Sequence, residues 1–162
     1  MSATCTFEPA ANPPLNPMHK ANTINMRAPK ERIFEAAANL ELWPTFLPHY
    51  RYIHYFQRGS KRNVVKMAAY RDFIPIAWIS EQIIDRDLCE VRFKHLTFWT
   101  KGMEVVWKFE QSERDTRVSI VHDLRFRIPA LAFAAEPIIG GFLIDNIANK
   151  TLRCMKTYVE AR

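Results

Sequence analysis

The segment between residues 51 and 128 holds the strongest structural signal of the chain, because apolar and polar side chains alternate along it. Alternation with a period of two is typical of β-strands, whose successive side chains point to opposite faces. The alternating segments are residues 51–57, 63–70, 77–84, 89–95, 100–110 and 116–128. Short polar turns separate them, and strands joined by short turns pair antiparallel. The pattern therefore predicts an antiparallel sheet.

Two of these segments indicate which side faces the interior. In the fifth, the apolar side chains at alternate positions are Met103, Val105, Trp107 and Phe109. In the sixth, the side chains on one face are Val118, Ile120, His122, Leu124 and Phe126. The second pattern puts a titratable side chain, His122, on an apolar face, while Asp123 points the opposite way.

Helical patterns flank the strands. Residues 22–28 predict a first short strand, and residues 28–43 predict a helix. The apolar stripe of that helix consists of Ile33, Phe34, Ala37 and Leu40. Residues 43–50 contain a proline near each end and predict a second short helix. A long C-terminal helix is predicted from side chains at three- and four-residue spacing, which are Ile144, Ile147, Ala148, Thr151, Met155 and Tyr158.

Two segments lack a regular pattern. Residues 1–21 contain four prolines and predict a flexible arm outside a folded domain of residues 22–162. Residues 128–144 are apolar but are interrupted by Pro129, Pro137 and a pair of glycines. Such interruptions favour a bent lid over a regular core helix.

Together these patterns predict an α+β fold, in which a curved seven-stranded antiparallel sheet surrounds a long C-terminal helix and two short helices follow the first strand. A curved sheet leaves a cavity against a straight helix, because the curvature pulls the middle of the sheet away from it. Aromatic residues make up 12% of the chain, with only four glycines. Such a content of rings favours a deep core or the wall of a cavity.

Composition narrows the classes of function. The net charge is +6, but no DNA-recognition helix, zinc finger or aromatic RNA-binding motif accompanies it, so we expect no nucleic-acid partner. The three cysteines, Cys5, Cys89 and Cys154, lack metal-site or disulfide spacing and favour a reducing, cytoplasmic setting. We expect neither a signal peptide nor a membrane span, because no run of about 18 apolar residues occurs.

Five segments resemble a known family. They are "APKERIFEAAANLELWPTFLPHY", "WISEQ", "TKGMEVVW", "VHDL" and "TLRCMKTYVEA". Over about residues 23–160 the chain resembles the START-like (SRPBCC) helix-grip superfamily, in particular its polyketide cyclase/dehydrase and lipid-transport branch. The resemblance implies a cavity for a hydrophobic ligand such as a polyketide, a quinone or a lipid, and we expect no cofactor. One cavity architecture serves both cyclases and carriers in this superfamily, so the fold does not choose between them.

The aromatase/cyclases of this superfamily place a tyrosine after the "WP" helix, and Tyr50 stands at the matching position. They place an essential arginine four residues after the tryptophan of the "WxSxx" strand, where this chain has Gln82. A neutral amide gives roughly half the interaction of a guanidinium, so either the chemistry differs or another group such as His122 supplies it. The implied partners are a hydrophobic ligand and either an acyl carrier protein or a membrane surface held by basic residues.

The candidate catalytic residues are Tyr50, as a proton donor or orienting phenol, and His122, as an acid/base. The candidate substrate-binding residues are Trp78, Ser80, Gln82, Phe93, His95, Met103, Val105, Trp107, Ile120 and Phe142. Each also has a purely structural interpretation: a histidine on an apolar face is often satisfied by a buried partner, and Ser80 and Gln82 lie on the surface if their face points outward. The histidines lack ligand spacing, so we expect no metal.

The segment "HYRYIHYF", residues 49–56, has no clearly apolar face. Strict alternation puts Tyr50, Tyr52, His54 and Phe56 together on one side. We expect one face of this strand to line a partly polar cavity and the other to form a tyrosine-rich surface, a candidate contact for a homodimer or a membrane.

Two functions remain open from the sequence. One is a cyclase/dehydratase of the aromatase/cyclase type that acts on a poly-ketone or polycyclic substrate by acid/base catalysis. The other is a non-catalytic carrier or chaperone for a quinone or lipid, which needs only an apolar cavity.

Overall fold

The described part of the chain contains seven strands and three α-helices. A computed structural model describes residues 18–124 and 144–161. The strands are β1 (Met18–Met26), β2 (Tyr50–Gln57), β3 (Arg62–Arg71), β4 (Ile74–Asp85), β5 (Glu90–His95), β6 (Glu104–Gln111) and β7 (Thr116–Leu124). The helices are α1 (Lys30–Ala38), α2 (Trp43–Phe46), which follows a 3₁₀ turn at Leu40–Leu42, and α3 (Asp145–Glu160).

All seven strands form one antiparallel sheet, in the order β1-β7-β6-β5-β4-β3-β2. Strands β2 to β7 are neighbours in chain order, as short turns require. Strand β1 completes the sheet by pairing with β7, with Met18 opposite Leu124 and Met26 opposite Thr116. The predicted fold, a seven-stranded antiparallel sheet with two short helices and a long C-terminal helix, is confirmed.

Helix α3 lies against the sheet and completes the core. It packs on β1 and α1, and its buried side chains include Ala148, Leu152, Met155 and Val159. The predicted inward faces of β6 and β7 are buried, including His122. Phe126 lies outside the described residues. None of the described helices combines the length and the apolar character that a membrane-spanning helix needs.

The first strand begins earlier than predicted. Residues 18–21 pair with the end of β7, so β1 includes four residues of the predicted arm. Met18, Asn22 and Met26 are buried at every fourth position, a pattern that the neighbouring prolines obscured in the sequence. The rest of the predicted arm, and the predicted lid apart from Ile144, lie outside the described residues.

A bulge in β2 overturns the predicted faces of that strand. Tyr50 lies opposite Ala69 and Tyr52 opposite Ala68, so Arg51 is an extra residue in the pairing. An extra residue reverses the alternation, because the side chains beyond it move to the other face. As a result Tyr50 is buried, but Tyr52 is exposed and Tyr55 packs on the core instead. His54 and Phe56 are exposed with Tyr52, and Ile53 is partly buried with Tyr55.

Gln82 of β4 ties α1 to the sheet. Its side chain is fully buried, and its Nε2 donates to the carbonyl oxygen of Ala38 at 2.8 Å. The Nδ2 of Asn63, on the neighbouring strand β3, donates to the Gln82 Oε1 at 2.9 Å. A carbonyl at the end of a helix lacks a partner within the helix, so this amide satisfies a group that burial would otherwise leave unpaired.

We predict that Gln82→Ala lowers the free energy of unfolding by roughly 2–4 kcal/mol, because it leaves both partners buried and unpaired and opens a small cavity. Urea denaturation followed by circular dichroism measures the change. The matched control is Gln57→Ala at an exposed position of β2, which should alter stability by less than about 0.5 kcal/mol. Equal midpoints for Gln82→Ala and the unsubstituted protein would contradict this role.

Candidate functional site

A cavity lies between the sheet and α3. Its volume is about 80 Å³, and its wall draws side chains from α2, from six strands or the loops that join them, and from α3. An apolar cavity of about 150 Å³ binds benzene in another protein, so this space is small. A ligand larger than a few atoms therefore requires part of the wall to move.

Most of the cavity wall is apolar, and rings dominate it. The predicted apolar residues that line it are Trp78, Phe93, Met103, Val105, Trp107 and Ile120. Sequence reasoning missed Trp43, whose ring centroid lies 5.8 Å from that of Trp107 and 4.9 Å from that of Tyr50. The Trp43 Nε1 donates to the carbonyl oxygen of Ala36, so this indole is held by the end of α1.

His122 lines the cavity and has an unused ring nitrogen. His122 is 8% exposed, and its Nδ1 has no hydrogen-bond partner in the described part of the chain. Burial lowers the pKa of His122 to about 4, and the carboxylates of Asp145 and Asp123 oppose this effect. The imidazole is therefore neutral near pH 7 and offers the cavity a lone pair or an N–H, depending on its tautomer.

His95 forms a second polar position of the wall. Its Nδ1 lies 2.7 Å from the hydroxyl oxygen of Thr100, and its ring stacks on Trp78 with centroids 5.7 Å apart. Burial, and then the proximity of His122, lower the pKa of His95 to about 3. The Nε1 of Trp78 has no acceptor among the described residues, so the stacked pair leaves one indole N–H unused.

Tyr50, at the start of β2, and Thr151 of α3 both line the cavity. Burial raises the pKa of Tyr50 well above its usual value, and the Thr151 side chain opposes this effect. The Nε2 of His49 lies 2.9 Å from the Thr151 Oγ1. Burial and the charge of Lys150 lower the pKa of His49 to about 4. Tyr50 therefore keeps its proton and can donate a hydrogen bond at neutral pH.

Charged groups lie beside the cavity but not in its described wall. The described residues that line the cavity include no Asp, Glu, Lys or Arg. Next to His122, Asp145 at the start of α3 is ion-paired with Lys20 and accepts from the Nδ2 of Asn22 at 3.2 Å. Asp145 thus affects His122 through its charge. Within residues 18–124 and 144–161, no group of three His, Cys, Asp or Glu side chains is placed to hold a metal ion.

Two predicted polar anchors do not reach the cavity. Ser80 and Gln82 point inward with Trp78, but neither lines the wall. Gln82 lies beyond the cavity, under the end of α1, and both ends of its amide are already hydrogen-bonded. Ser80 has a short side chain between the paired residues Val65 and His95. Phe142 lies outside the described residues, so its assignment stays a prediction.

Several lining residues were not predicted. They include Met67, Ile76, Phe98, Ile144 and Ile147. The signal for Thr151 was present, because it is a polar residue within the apolar stripe of the C-terminal helix. Thr100 and Phe98 come from the loop between β5 and β6, whose path strand alternation does not predict.

A family model described as polyketide cyclase / dehydrase and lipid transport matches residues 26–151, which include strands β2 to β7, α1, α2 and the start of α3. The chain belongs to this family. A relative in it, a candidate polyketide cyclase of Streptomyces cyaneus, is 24% identical over 112 residues, which cover 67% of this chain and 74% of that protein.

Solved structures agree on the helix-grip fold. The Zhui aromatase/cyclase from Streptomyces sp. R1128 matches with a TM-score of 0.79 at 15% identity, covering 91% of this chain and 96% of that one. A START superfamily protein from Mycobacterium smegmatis matches with a TM-score of 0.69 at 10% identity, covering 88% and 97%. The predicted superfamily is confirmed, and identities this low establish the shared fold alone.

His122, which is buried, and His95, which is half-buried, predict that this family member loses stability in acid well above the pH at which carboxylates titrate. An unfolded histidine titrates near pH 6.5, whereas His95 and His122 have pKa values of about 3 and about 4 in the folded chain. Between these values the unfolded chain binds more protons, so the free energy of unfolding falls as the pH falls. The expected slope is about 1 kcal/mol per pH unit for each histidine.

Chemical denaturation between pH 7 and pH 4 measures this slope. His122→Gln should make it shallower, because one of the groups responsible is removed, while His54→Gln at an exposed position should leave it unchanged. Stability that stays constant from pH 6.5 to pH 4.5 would contradict the burial of neutral histidines.

Proposed function

We propose that this protein is a cyclase/dehydratase that acts on an apolar poly-ketone or polycyclic carbonyl compound, with His122 as acid/base and Tyr50 as proton donor or orienting phenol. The observation that carries the proposal is the His122 ring on the wall of an apolar cavity, neutral and with Nδ1 unpartnered. A buried polar atom without a partner costs free energy unless a ligand completes it.

Neutral imidazole suits the removal of a proton from carbon. In a poly-ketone, the methylene between two carbonyl groups is the acidic position. His122 takes a proton there, and the resulting enolate carbon attacks a carbonyl carbon of the same chain, which forms a carbon–carbon bond and an alkoxide. The protonated His122 returns its proton to the alkoxide, which becomes a hydroxyl group. The neutral His122 then takes a second proton from carbon and gives it to the departing hydroxyl, which leaves as water while a carbon–carbon double bond forms.

Tyr50 fits the complementary role. Because burial raises its pKa, the phenol stays protonated and can hydrogen-bond the carbonyl oxygen whose charge grows during the attack. Thr151 of α3 lines the same cavity and is hydrogen-bonded to His49, the residue before Tyr50. The indole N–H of Trp78 supplies a further donor that has no other acceptor in the described chain, so it can orient a ligand oxygen.

The same geometry limits how the substrate enters. A cavity of about 80 Å³ does not accept a folded poly-ketone as it stands, since pockets for such ligands are typically about 300 Å³ or larger. Binding therefore displaces wall side chains. Gln82, at the position of the essential arginine in the resembled aromatase/cyclases, is withdrawn from the cavity. Among the described residues of the wall, the donors that can stabilise an enolate are neutral.

We predict that Tyr50→Phe and His122→Gln each lower turnover of a poly-ketone substrate by roughly 10²–10⁴-fold, the usual contribution of a positioned acid or base. Ligand affinity should change only a few-fold, because the apolar wall is intact. Single-turnover kinetics with product analysis, beside equilibrium binding, separates the two effects. Tyr52→Phe and His54→Gln, both exposed on β2, are the matched controls. Full turnover in both cavity variants would contradict these roles.

A second candidate is a carrier for a quinone or lipid, and the absence of charged side chains from the described cavity wall favours it. A carrier needs burial rather than proton transfer. On this alternative, Tyr50→Phe and His122→Gln leave uptake and release of a fluorescent quinone or lipid unchanged, and no poly-ketone is converted. Transfer that fails in both variants would count against the carrier.

A further inference from the structure

Two aromatic side chains protrude at one end of the sheet. Phe73, in the turn between β3 and β4, is 86% exposed, and Trp99, in the loop between β5 and β6, is 72% exposed. Strand β4 begins at Ile74, opposite the end of β3, and its antiparallel neighbour β5 runs toward the same end of the sheet but stops at His95, opposite Ser80. The loop that carries Trp99 continues from His95 in that direction, so both side chains lie toward the same end of the sheet. We call Phe73 and Trp99 the tip aromatics.

Apolar surface continues around the tip aromatics. Ile74, the first residue of β4, and Leu96 and Phe98, in the loop between β5 and β6, are each more than one third exposed. Single exposed apolar residues are ordinary on proteins, but a group of five at one end is the pattern of a binding surface.

Local structure holds both tips in place. Asp72 has a left-handed backbone with φ of 54°, and its carboxylate accepts from the Lys150 Nζ of α3 at 2.8 Å. Phe98 has φ of 72°, unfavourable for a bulky residue, and its ring stacks on Trp99 with centroids 5.1 Å apart. A costly conformation of this kind persists only when surrounding structure imposes it.

The surface is continuous with the cavity. Phe98 and Thr100 line the cavity wall, and the Trp99 ring stacks on the ring of Phe98. Apolar side chains therefore lead from the cavity to the loop tip. An apolar ligand that follows them avoids much of the contact with water.

The charges beside the tip aromatics are mainly positive. Arg71 and Lys150 both pair with Asp72. Lys101, two residues after Trp99, is exposed and makes no ion pair with a described carboxylate within 4 Å. Lys94 pairs with Glu104 after the same loop, so four cations stand against two carboxylates among these described residues. This excess of positive charge complements anionic lipid headgroups.

We propose that this end of the protein docks on an anionic lipid bilayer, with Phe73 and Trp99 inserted at the boundary between headgroups and acyl chains. A fluid bilayer accepts two separated protruding rings at any spacing, whereas a protein partner needs a matching pocket for each ring. Tryptophan favours this boundary, where its ring is buried and its N–H stays near water. This docking goes beyond the proposed function, because it gives the ligand's route for an enzyme and for a carrier alike.

The direct test is binding to vesicles of phosphatidylcholine with phosphatidylglycerol, with pure phosphatidylcholine vesicles beside them. Trp99 is an internal probe, because the other tryptophans, Trp43, Trp78 and Trp107, are at most 8% exposed. We expect co-sedimentation with the anionic vesicles, a blue shift of the emission, quenching by brominated lipid, and weaker binding at high salt.

Substitution locates the surface. Phe73→Ser and Trp99→Ser should each lower the vesicle partition coefficient about tenfold, the value of burying one large apolar side chain. The matched control is Leu88→Ser, 64% exposed in the turn between β4 and β5 at the opposite end of the sheet, which should bind as the unsubstituted protein does. Thermal unfolding of each variant checks that the fold is kept.

Three results would overturn the proposal. In the first, the unsubstituted protein binds neither kind of vesicle. In the second, a variant that carries both Phe73→Ser and Trp99→Ser binds as well as Leu88→Ser, so that charge alone is responsible. In the third, the tip substitutions convert a dimer to a monomer or abolish binding to an acyl carrier protein, while the unsubstituted protein does not bind vesicles. In the last case the tip aromatics serve a protein interface.

Discussion

Desolvation of two histidines is the constraint on which the site depends. The helix-grip fold lays α3 along the sheet and places His95 and His122 at its inner surface, among rings that exclude water. Burial lowers the pKa of both, so both rings are uncharged at neutral pH. Neither ring therefore attracts an anion. The cavity consequently suits an uncharged ligand with hydrogen-bonding oxygens, and any proton transfer begins from neutral imidazole.

The same packing separates structural polar groups from available ones. Gln82, Thr100 and Thr151 have partners in neighbouring elements, and they hold the end of α1, the loop after β5 and the His49 ring in place. The His122 Nδ1 and Trp78 Nε1 have none in the described chain. The difference matters for assigning roles, because a polar side chain whose bonds are all made contributes stability, whereas an unpaired one is free to meet a ligand.

Local alternation predicted the sheet and the inward faces of β6 and β7, but it left the face of β4 open. Nine of the twelve candidate site residues line the cavity, and one of the nine, Tyr50, came from the family resemblance rather than from alternation. It failed where a contact distant in sequence decides the outcome. The bulge at Arg51 moved Tyr52 to the surface, and the end of α1 covered Gln82, although both residues lie in correctly predicted strands. Alternation assigns a strand face but does not say which element covers it. The helical residues that cover the cavity, Trp43 and Thr151, were therefore also missed.

The most direct test of the central claim, that this cavity holds an uncharged apolar ligand, is native mass spectrometry of the protein purified from its own host. Ala148→Trp is measured beside it, because Ala148 is buried on α3 against the cavity and an indole there fills the space. We expect one oxygen-containing apolar compound per chain on the unsubstituted protein and none on the folded variant. An empty unsubstituted protein that takes up no added poly-ketone, quinone or lipid would contradict the claim.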